Sequence, residues 1–194
     1  MLGVSFALLA GCIVGLVRGG SFRRLEAVRL ARVPLVFVAL ALQIAAASTE
    51  FAAGGRVALG LTLAAYAGVG WFAVANRREI GMPLLALGAV SNFVAIAVNG
   101  GMPVSDDALH RAGLADPYLS RSGGVIRAAH HVLTDRDRLR FLTDIIPLRY
   151  GTVVSVGDLL IWAGIILLVQ HLVVGRRGRH GRVASEHAEP LRRA

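Results

Sequence analysis

The chain has 194 residues, of which 55% are hydrophobic and 17% are charged, and its mean hydropathy is +0.63. This composition is typical of membrane proteins and excludes an ordinary soluble domain, while the length favours a single domain. The net charge of +9 comes from Arg, because all 21 basic residues are Arg. The Arg residues flank apolar segments and are not interleaved with aromatic residues, so we expect anionic lipid headgroups as partners and no nucleic acid.

Five apolar runs predict an all-α fold class, a polytopic membrane protein with five transmembrane helices. The predicted spans are 2–17, 33–49, 57–75, 80–99 and 153–174. A span needs roughly 17 to 25 residues, so the last three are long enough and the first two are short. The second can be extended by LEAVRLAR, whose Arg side chains can reach the membrane surface from a helix end. Residues 1–175 are therefore expected to form one transmembrane domain, and residues 176–194 a basic, disordered cytoplasmic tail.

The first run contains the only cysteine, Cys12, which excludes an intrachain disulfide framework. LLAGC matches the sequence at which bacterial lipoproteins are cleaved and lipidated. However, no Arg precedes Cys12, and the apolar run continues to Val17. We therefore expect Cys12 to belong to a retained span.

The distribution of Arg between the runs predicts the orientation. Residues 18–32 carry five Arg and residues 76–79 carry two, whereas residues 50–56 carry one. The positive-inside rule then places the N-terminus outside and the C-terminus in the cytoplasm, with the 100–152 loop on the outer face of the membrane. The seven Arg of that loop count against this orientation, although six acidic residues accompany them.

The 100–152 loop is expected to be partly helical. SDDALHRAG predicts a short helix with a Ser cap that ends at Gly113. A second capping pattern at Thr134 predicts an amphipathic helix lying on the outer membrane surface, which Pro147 ends. Its apolar face would carry Leu139, Leu142 and Ile146, and its polar face Asp137, Arg140 and Asp144.

Asp158 lies inside the last apolar run, where burial of a carboxylate costs a few kcal/mol unless it has a partner or faces a polar cavity. The other spans offer polar partners, which are Ser91, Asn92, Asn99 and Gln43. One interpretation is structural: a hydrogen bond between helices, or an acid favoured by the helix dipole. The other is functional, because acids inside a membrane so often carry chemistry.

Asp144 comes four residues after Arg140, and an exposed ion pair between them is the simplest interpretation. The loop nevertheless returns Asp144 to the outer surface, where the next span begins and carries Asp158. Two carboxylates close together tend to share a proton, so one can act as a base on water while the other donates. Asp144 and Asp158 are therefore the candidate catalytic residues.

Two further patterns are candidate sites. NGGMPVS holds Asn99, Gly100 and Gly101, which either end a helix or expose backbone to a substrate; with Asn92 they are the predicted substrate-binding residues. His130 and His131 with Asp135 suggest a metal or phosphate site, but adjacent His residues do not share a helical face and a third ligand is not evident. We therefore predict neither a metal nor a cofactor.

Three stretches resemble an uncharacterised family of bacterial integral membrane proteins, known only as a domain of unknown function. They are RGGSFRRLEAVRL, SNFVAIAVNGGMPVS, and LTDRDRLRFLTDIIP followed by VSVGDLLIWAGI. The resemblance covers roughly residues 1–175. It implies a bacterial plasma-membrane protein and no known activity.

FLTDIIPLRYGTVVSVGDLLIWAGIILL is also similar to the end of lipoprotein signal peptidases, aspartyl peptidases of the outer face of the plasma membrane. Their pattern is V-x-D-F followed by N-x-A-D, and its two Asp correspond to Asp144 and Asp158. The sequence departs from it at Ile145, Ser155 and Gly157, which replace Phe, Asn and Ala, and it lacks the family's N-x-x-D-R element. The resemblance implies that Asp144 and Asp158 form a catalytic aspartyl dyad.

Two functions follow as alternatives. In the first, the protein is a membrane-embedded aspartyl hydrolase acting on a lipid-linked or membrane peptide substrate. In the second, it is a non-catalytic assembly, lipid-binding or transport-partner protein in which both Asp residues are structural.

Overall fold

The structure, a computed structural model, describes residues 2–49, 55–113, 125–127, 129–148 and 151–175. This part of the chain is mostly helical. Its α-helices are α1 (Leu2–Val17), α2 (Pro34–Thr49), α3 (Gly55–Ala75), α4 (Met82–Asn99), α5 (Asp106–Arg111) and α6 (Val156–Val174). Short 3-10 helices cover Phe22–Ala27 and Arg140–Leu142.

Three helices of the described chain are long and apolar enough to cross a membrane. These are α3, α4 and α6, with 21, 18 and 19 residues and hydropathies of 1.8, 1.7 and 1.9. Helices α1 and α2 are apolar but have 16 residues each, about 24 Å against a hydrocarbon core of about 30 Å. The structure therefore confirms three of the predicted spans as candidate membrane helices and shows the first two runs as shorter apolar helices. The predicted tail, 176–194, lies outside the described residues.

Helix α6 packs against both α1 and α4, α4 packs against α3, and α3 packs against α2. Glycines allow α4 and α6 to approach closely. A Cβ added to Gly88 would lie 2.5 Å from the carbonyl oxygen of Gly157, and one added to Gly164 would lie 2.7 Å from that of Gly81. Small residues in this arrangement let two helix backbones come into van der Waals contact, which is a common packing mode in membranes.

The apolar side chains divide between a core and an exposed surface. The core between α3, α4 and α6 contains Phe72, Ala73, Met82, Leu85, Ile161 and Leu168. Each of the helices α1, α2, α3, α4 and α6 also exposes large apolar side chains, for example Phe6, Phe37, Trp71, Leu87 and Leu159. An exposed apolar surface spread over so many elements is unusual for a soluble monomer and suits contact with lipid.

The loop between α4 and α6 contains short strands, which corrects the all-α prediction. The strands are β1 (Met102–Val104), β2 (Val125–Arg127), β3 (His130–Val132), β4 (Ile146–Leu148) and β5 (Thr152–Val154). β3 lies between β1 and β2, parallel to β1 and antiparallel to β2. β4 and β5 form an antiparallel hairpin that leads directly into α6, so this helix begins three residues later than predicted.

The predicted helix α5 is confirmed, whereas the predicted amphipathic helix after Thr134 is wrong. Ser105 caps α5 by accepting from the backbone N–H of Ala108. At Thr134 the capping contacts form, because Asp137 accepts from both the backbone N–H and the hydroxyl of Thr134. The helix does not follow, since Leu139 adopts a left-handed conformation with φ of 53° and the next residues enter a 3-10 turn and then β4.

The close approach of α4 and α6 predicts that Gly157→Ala destabilises the protein. The added Cβ would overlap the side-chain oxygen of Asn92, and overpacking of this kind costs about 1–3 kcal/mol. Thermal or denaturant unfolding in detergent measures the loss. Gly60→Ala is the matched control, because Gly60 lies on exposed α3 surface with no atom near the new Cβ. We expect the control to be more stable by about 0.5–1 kcal/mol, and equal behaviour of the two variants would contradict the packing argument.

Candidate functional site

Asp158 is the third residue of α6, where it completes a capping box with Ser155. The Ser155 hydroxyl accepts from the backbone N–H of Asp158 at 3.0 Å, and Asp158 Oδ2 accepts from the backbone N–H of Ser155 at 3.2 Å. These contacts satisfy two of the N–H groups that a helix start leaves without intrahelical partners. The structural interpretation of Asp158 is thus partly confirmed.

Asn92 of α4 connects this helix start to two other helices. Its Nδ2 donates to Asp158 Oδ1 at 2.8 Å and to the Tyr66 hydroxyl of α3 at 3.2 Å. Its Oδ1 accepts from the Ser155 hydroxyl at 2.9 Å. Asn92 and Ser155 are both fully buried, and Asn92 is confirmed as one of the polar partners expected for Asp158. The resulting cluster of Tyr66, Asn92, Ser155 and Asp158 links α3, α4 and α6.

Asp144 is held by its backbone beside the end of β1. Its N–H donates to the Pro103 carbonyl at 3.0 Å, and its carbonyl accepts from the Ser105 N–H at 2.9 Å. The side chain is buried, with 6% of the residue exposed. The predicted ion pair with Arg140 is wrong, because Arg140 lies 3.5 Å from Asp135 instead.

The Asp144 carboxyl group is poorly satisfied for a buried acid. Its Oδ1 is buried without a hydrogen-bond partner among the described residues, and its Oδ2 lies 3.9 Å from His130 Nε2. Burial raises the pKa of Asp144 well above its ordinary value, and the negative charge of Asp158 raises it further. A neutral carboxylic acid is the form that burial and a neighbouring carboxylate both favour.

The two acids therefore occupy contrasting environments. Asp158 accepts hydrogen bonds at both oxygens, from Asn92 and from the backbone of Ser155. Asp144 is desolvated and close enough to Asp158 for its pKa to respond to that charge. Pairs of acids whose surroundings separate their protonation states can divide the roles of acid and base.

The other predicted substrate-binding residues have structural contacts. Asn99 exchanges two hydrogen bonds with the backbone of Arg138, donating to its carbonyl at 3.0 Å and accepting from its N–H at 2.8 Å. Gly100 ends α4 with φ of 70°. A Cβ at Gly101 would lie 3.0 Å from the carbonyl oxygen of Ala129. These residues attach the loop between α4 and α6 to α4, and their role towards a substrate stays a prediction.

Of the residues considered for a metal or phosphate site, His131 pairs with Asp137. His131 Nε2 lies 2.9 Å from Asp137 Oδ1, and the backbone of Thr134 donates to the other oxygen. Partial burial alone would raise the pKa of Asp137, but these hydrogen bonds outweigh it and lower the pKa. Within the described ranges, His, Cys, Asp and Glu side chains do not form a cluster of three that could hold a metal ion.

Sequence reasoning did not identify Tyr66 and His130 as members of this site. Tyr66 carries one of the few hydroxyl groups within an apolar run. Counting Tyr among the polar residues of the predicted spans would have identified it. His130 was considered only together with His131. Alternation along a strand places the two on opposite faces, so each His meets a different Asp.

Comparison with known proteins gives one match. The sequence model of a family of unknown function matches residues 27–170, which confirms the resemblance to an uncharacterised family. No curated protein and no solved structure matches the chain. The similarity to lipoprotein signal peptidases therefore rests on the residues quoted above.

The raised pKa of Asp144 predicts how stability depends on pH. The folded protein keeps the Asp144 proton at pH values where the unfolded chain has lost it, so the free energy of unfolding falls as pH rises above about 4, until Asp144 ionises in the folded state. Asp144→Asn cannot ionise and should lack this fall. Denaturant unfolding in detergent between pH 4 and 8 measures the difference.

The neighbouring titratable groups, His130 and Asp158, are present in both proteins, so the difference between the two profiles reports Asp144 together with its coupling to these groups. Asp135→Asn is the control, because Asp135 is fully exposed and should leave the pH profile of the wild type unchanged. Parallel profiles for the wild type and Asp144→Asn would contradict the raised pKa.

Proposed function

The chain belongs to DUF5317, a family of unknown function, and from its own side chains we propose that it is a membrane-embedded aspartyl hydrolase. The observation that carries the proposal is the buried Asp144 carboxyl group. It has an oxygen without a hydrogen-bond partner in the described chain, and its pKa is raised by burial and by Asp158. A structural acid at this depth would be expected to have its oxygens satisfied.

The proposed reaction divides two roles between the acids. Asp158 takes a proton from water as the water oxygen bonds to the substrate carbonyl carbon, while Asp144 donates its proton to the carbonyl oxygen. The tetrahedral intermediate then breaks its bond to the leaving amine. The amine takes the proton from Asp158, and the new hydroxyl group returns one to Asp144. The products are a carboxylic acid and an amine, and both Asp residues recover their starting states.

Asn92, Ser155 and His130 support this chemistry. Asn92 and Ser155 fix the orientation of Asp158 through hydrogen bonds of 2.8 and 3.2 Å. The His130 side chain is 37% exposed and lies 3.9 Å from Asp144 Oδ2, so it offers a route for proton exchange with solvent. Asn99, Gly100 and Gly101 remain the proposed contacts for the backbone of a lipid-linked or membrane peptide substrate.

The proposed setting is the bacterial plasma membrane. Helices α1 and α2 join the three longer helices as spans, with the N-terminus outside, the C-terminus in the cytoplasm and the Asp pair at the outer face. Exposed apolar side chains on α1 and α2, such as Phe6 and Phe37, support contact with lipid. At the proposed inner face the Arg32 guanidinium lies 5.5 Å from the Trp71 ring, a pairing suited to a membrane surface.

One observation favours the second function, a non-catalytic membrane protein. The capping box and Asn92 satisfy both oxygens of Asp158, so this residue has a complete structural explanation. In that case Asp158 would fix the start of α6, and the Arg-rich loops would bind lipid or a protein partner.

Substitution of the two acids separates the proposals. Asp144→Asn and Asp158→Asn preserve size but cannot cycle a proton, and removal of an acid or base typically costs about 10²–10⁴ in rate. We therefore expect each variant to lose at least about 100-fold in cleavage of a lipid-modified prolipoprotein peptide. The assay measures release of the signal peptide by the protein reconstituted in liposomes.

Asp135→Asn is the matched control and should cleave at the wild-type rate, because its carboxylate is exposed in the same loop. Circular dichroism and unfolding midpoints establish that each variant is folded. Wild-type cleavage by both folded dyad variants would exclude the hydrolase and favour the structural role.

A further inference from the structure

A cavity of about 120 Å³ lies at the end of α6 remote from Asp158. Its lining residues come from the end of α1, the turn before α4 and the last turns of α6. They are Arg18, Ile80, Leu167, Gln170, His171 and Val174. The volume is far larger than the roughly 15 Å³ that one water molecule needs, so a larger group fits.

The polar wall of the cavity consists of Arg18, Gln170 and His171. Arg18 Nη1 donates to Gln170 Oε1 at 3.3 Å, which holds the guanidinium group over the cavity. A guanidinium group carries five N–H donors in a planar fork that matches phosphate oxygens. The nearby Arg24 donates to the Val174 carbonyl, which reduces the negative charge that the end of α6 presents to the cavity.

The other lining residues, Ile80, Leu167 and Val174, are apolar. The surface next to the cavity is also apolar, because Val17 is 82% exposed and Ile80 is 50% exposed. On the turn from α3 to α4, Glu79 is outnumbered by Arg77 and Arg78. The cavity thus combines a positive, hydrogen-bonding wall with an apolar edge at the level where helices α1 and α6 end.

We propose that this cavity binds the phosphate diester of an anionic phospholipid, with Arg18 on the phosphate, Gln170 and His171 on the headgroup, and the acyl chains along Ile80 and Leu167. Anionic lipids are enriched at cytoplasmic surfaces, and basic pockets between membrane helices bind their headgroups. The inference rests on the proposed membrane location with the C-terminus inside. It is independent of hydrolysis at the Asp pair.

The test is lipid binding by the purified full-length chain in detergent, followed by native mass spectrometry. Phosphatidylglycerol is the probe, phosphatidylcholine is the zwitterionic control, and inorganic phosphate is the competitor. We expect phosphatidylglycerol to bind more tightly than phosphatidylcholine. Arg18→Gln should weaken phosphatidylglycerol binding about tenfold, the effect of losing one charge-assisted contact.

Arg78→Gln is the matched control, since it removes the same charge from an exposed inner turn that does not line the cavity. It should change binding by less than about fivefold. Gln170→Glu is a second, near-isosteric variant that puts a negative charge in the cavity, and it should also abolish the preference for phosphatidylglycerol. This variant tests the site even if Arg18→Gln fails to fold.

Three outcomes overturn the proposal. If Arg18→Gln and Arg78→Gln weaken phosphatidylglycerol binding equally, the lipid is attracted to Arg residues in general and not to the cavity. Equal binding of phosphatidylglycerol and phosphatidylcholine would exclude recognition of the anionic headgroup. Displacement of phosphatidylglycerol by inorganic phosphate would identify free phosphate as the ligand. Partition of the wild type into detergent micelles, measured first, reports membrane insertion separately, so failure of lipid binding is distinguishable from failure of the protein to insert into a membrane.

Discussion

A carboxylate at the start of a long apolar helix needs hydrogen-bond donors, and the arrangement around Asp158 provides them from separate parts of the chain. Ser155 donates from the helix cap, and Asn92 donates from α4. Asn92 can reach Asp158 only because Gly88 and Gly157 allow the two helices to approach closely. The start of α6 is thereby fixed, and with it the β4–β5 hairpin that follows Asp144 along the chain.

The two acids have different surroundings, although Asp158 lies in the first turn of α6 and Asp144 shortly precedes the hairpin that leads into it. Asp158 is satisfied by donors, whereas the backbone contacts that hold Asp144 beside β1 bury its side chain without supplying a donor to Oδ1. His130 approaches the other oxygen from a partly exposed position. Burial and the charge of Asp158 both raise the pKa of Asp144, and the proposed hydrolase gives this acid the role of proton donor.

The sequence predicted those parts of the molecule that depend on local pattern. Length and hydropathy identified the long helices, and Ser105 and Gly113 marked α5. It mispredicted the segment after Thr134, because the spacing of Leu139, Leu142 and Ile146 suits a helix while long-range pairing of Asp144 with Pro103 and Ser105 favours extended chain. The burial of Asp144 could not be predicted either, since it depends on how the loop between α4 and α6 folds over the end of α4.

The site is best tested through the electrostatic coupling of the two acids. Infrared spectroscopy of protein with ¹³C-labelled aspartate follows the protonated Asp144 carboxyl band during a pH titration, with Asp144→Asn to assign it. In Asp158→Asn the pKa of Asp144 should fall, because the neighbouring charge is gone, yet stay above its ordinary value, because burial is the larger cause of the shift. An Asp144 pKa that is the same with and without the Asp158 charge would contradict the account of a coupled pair.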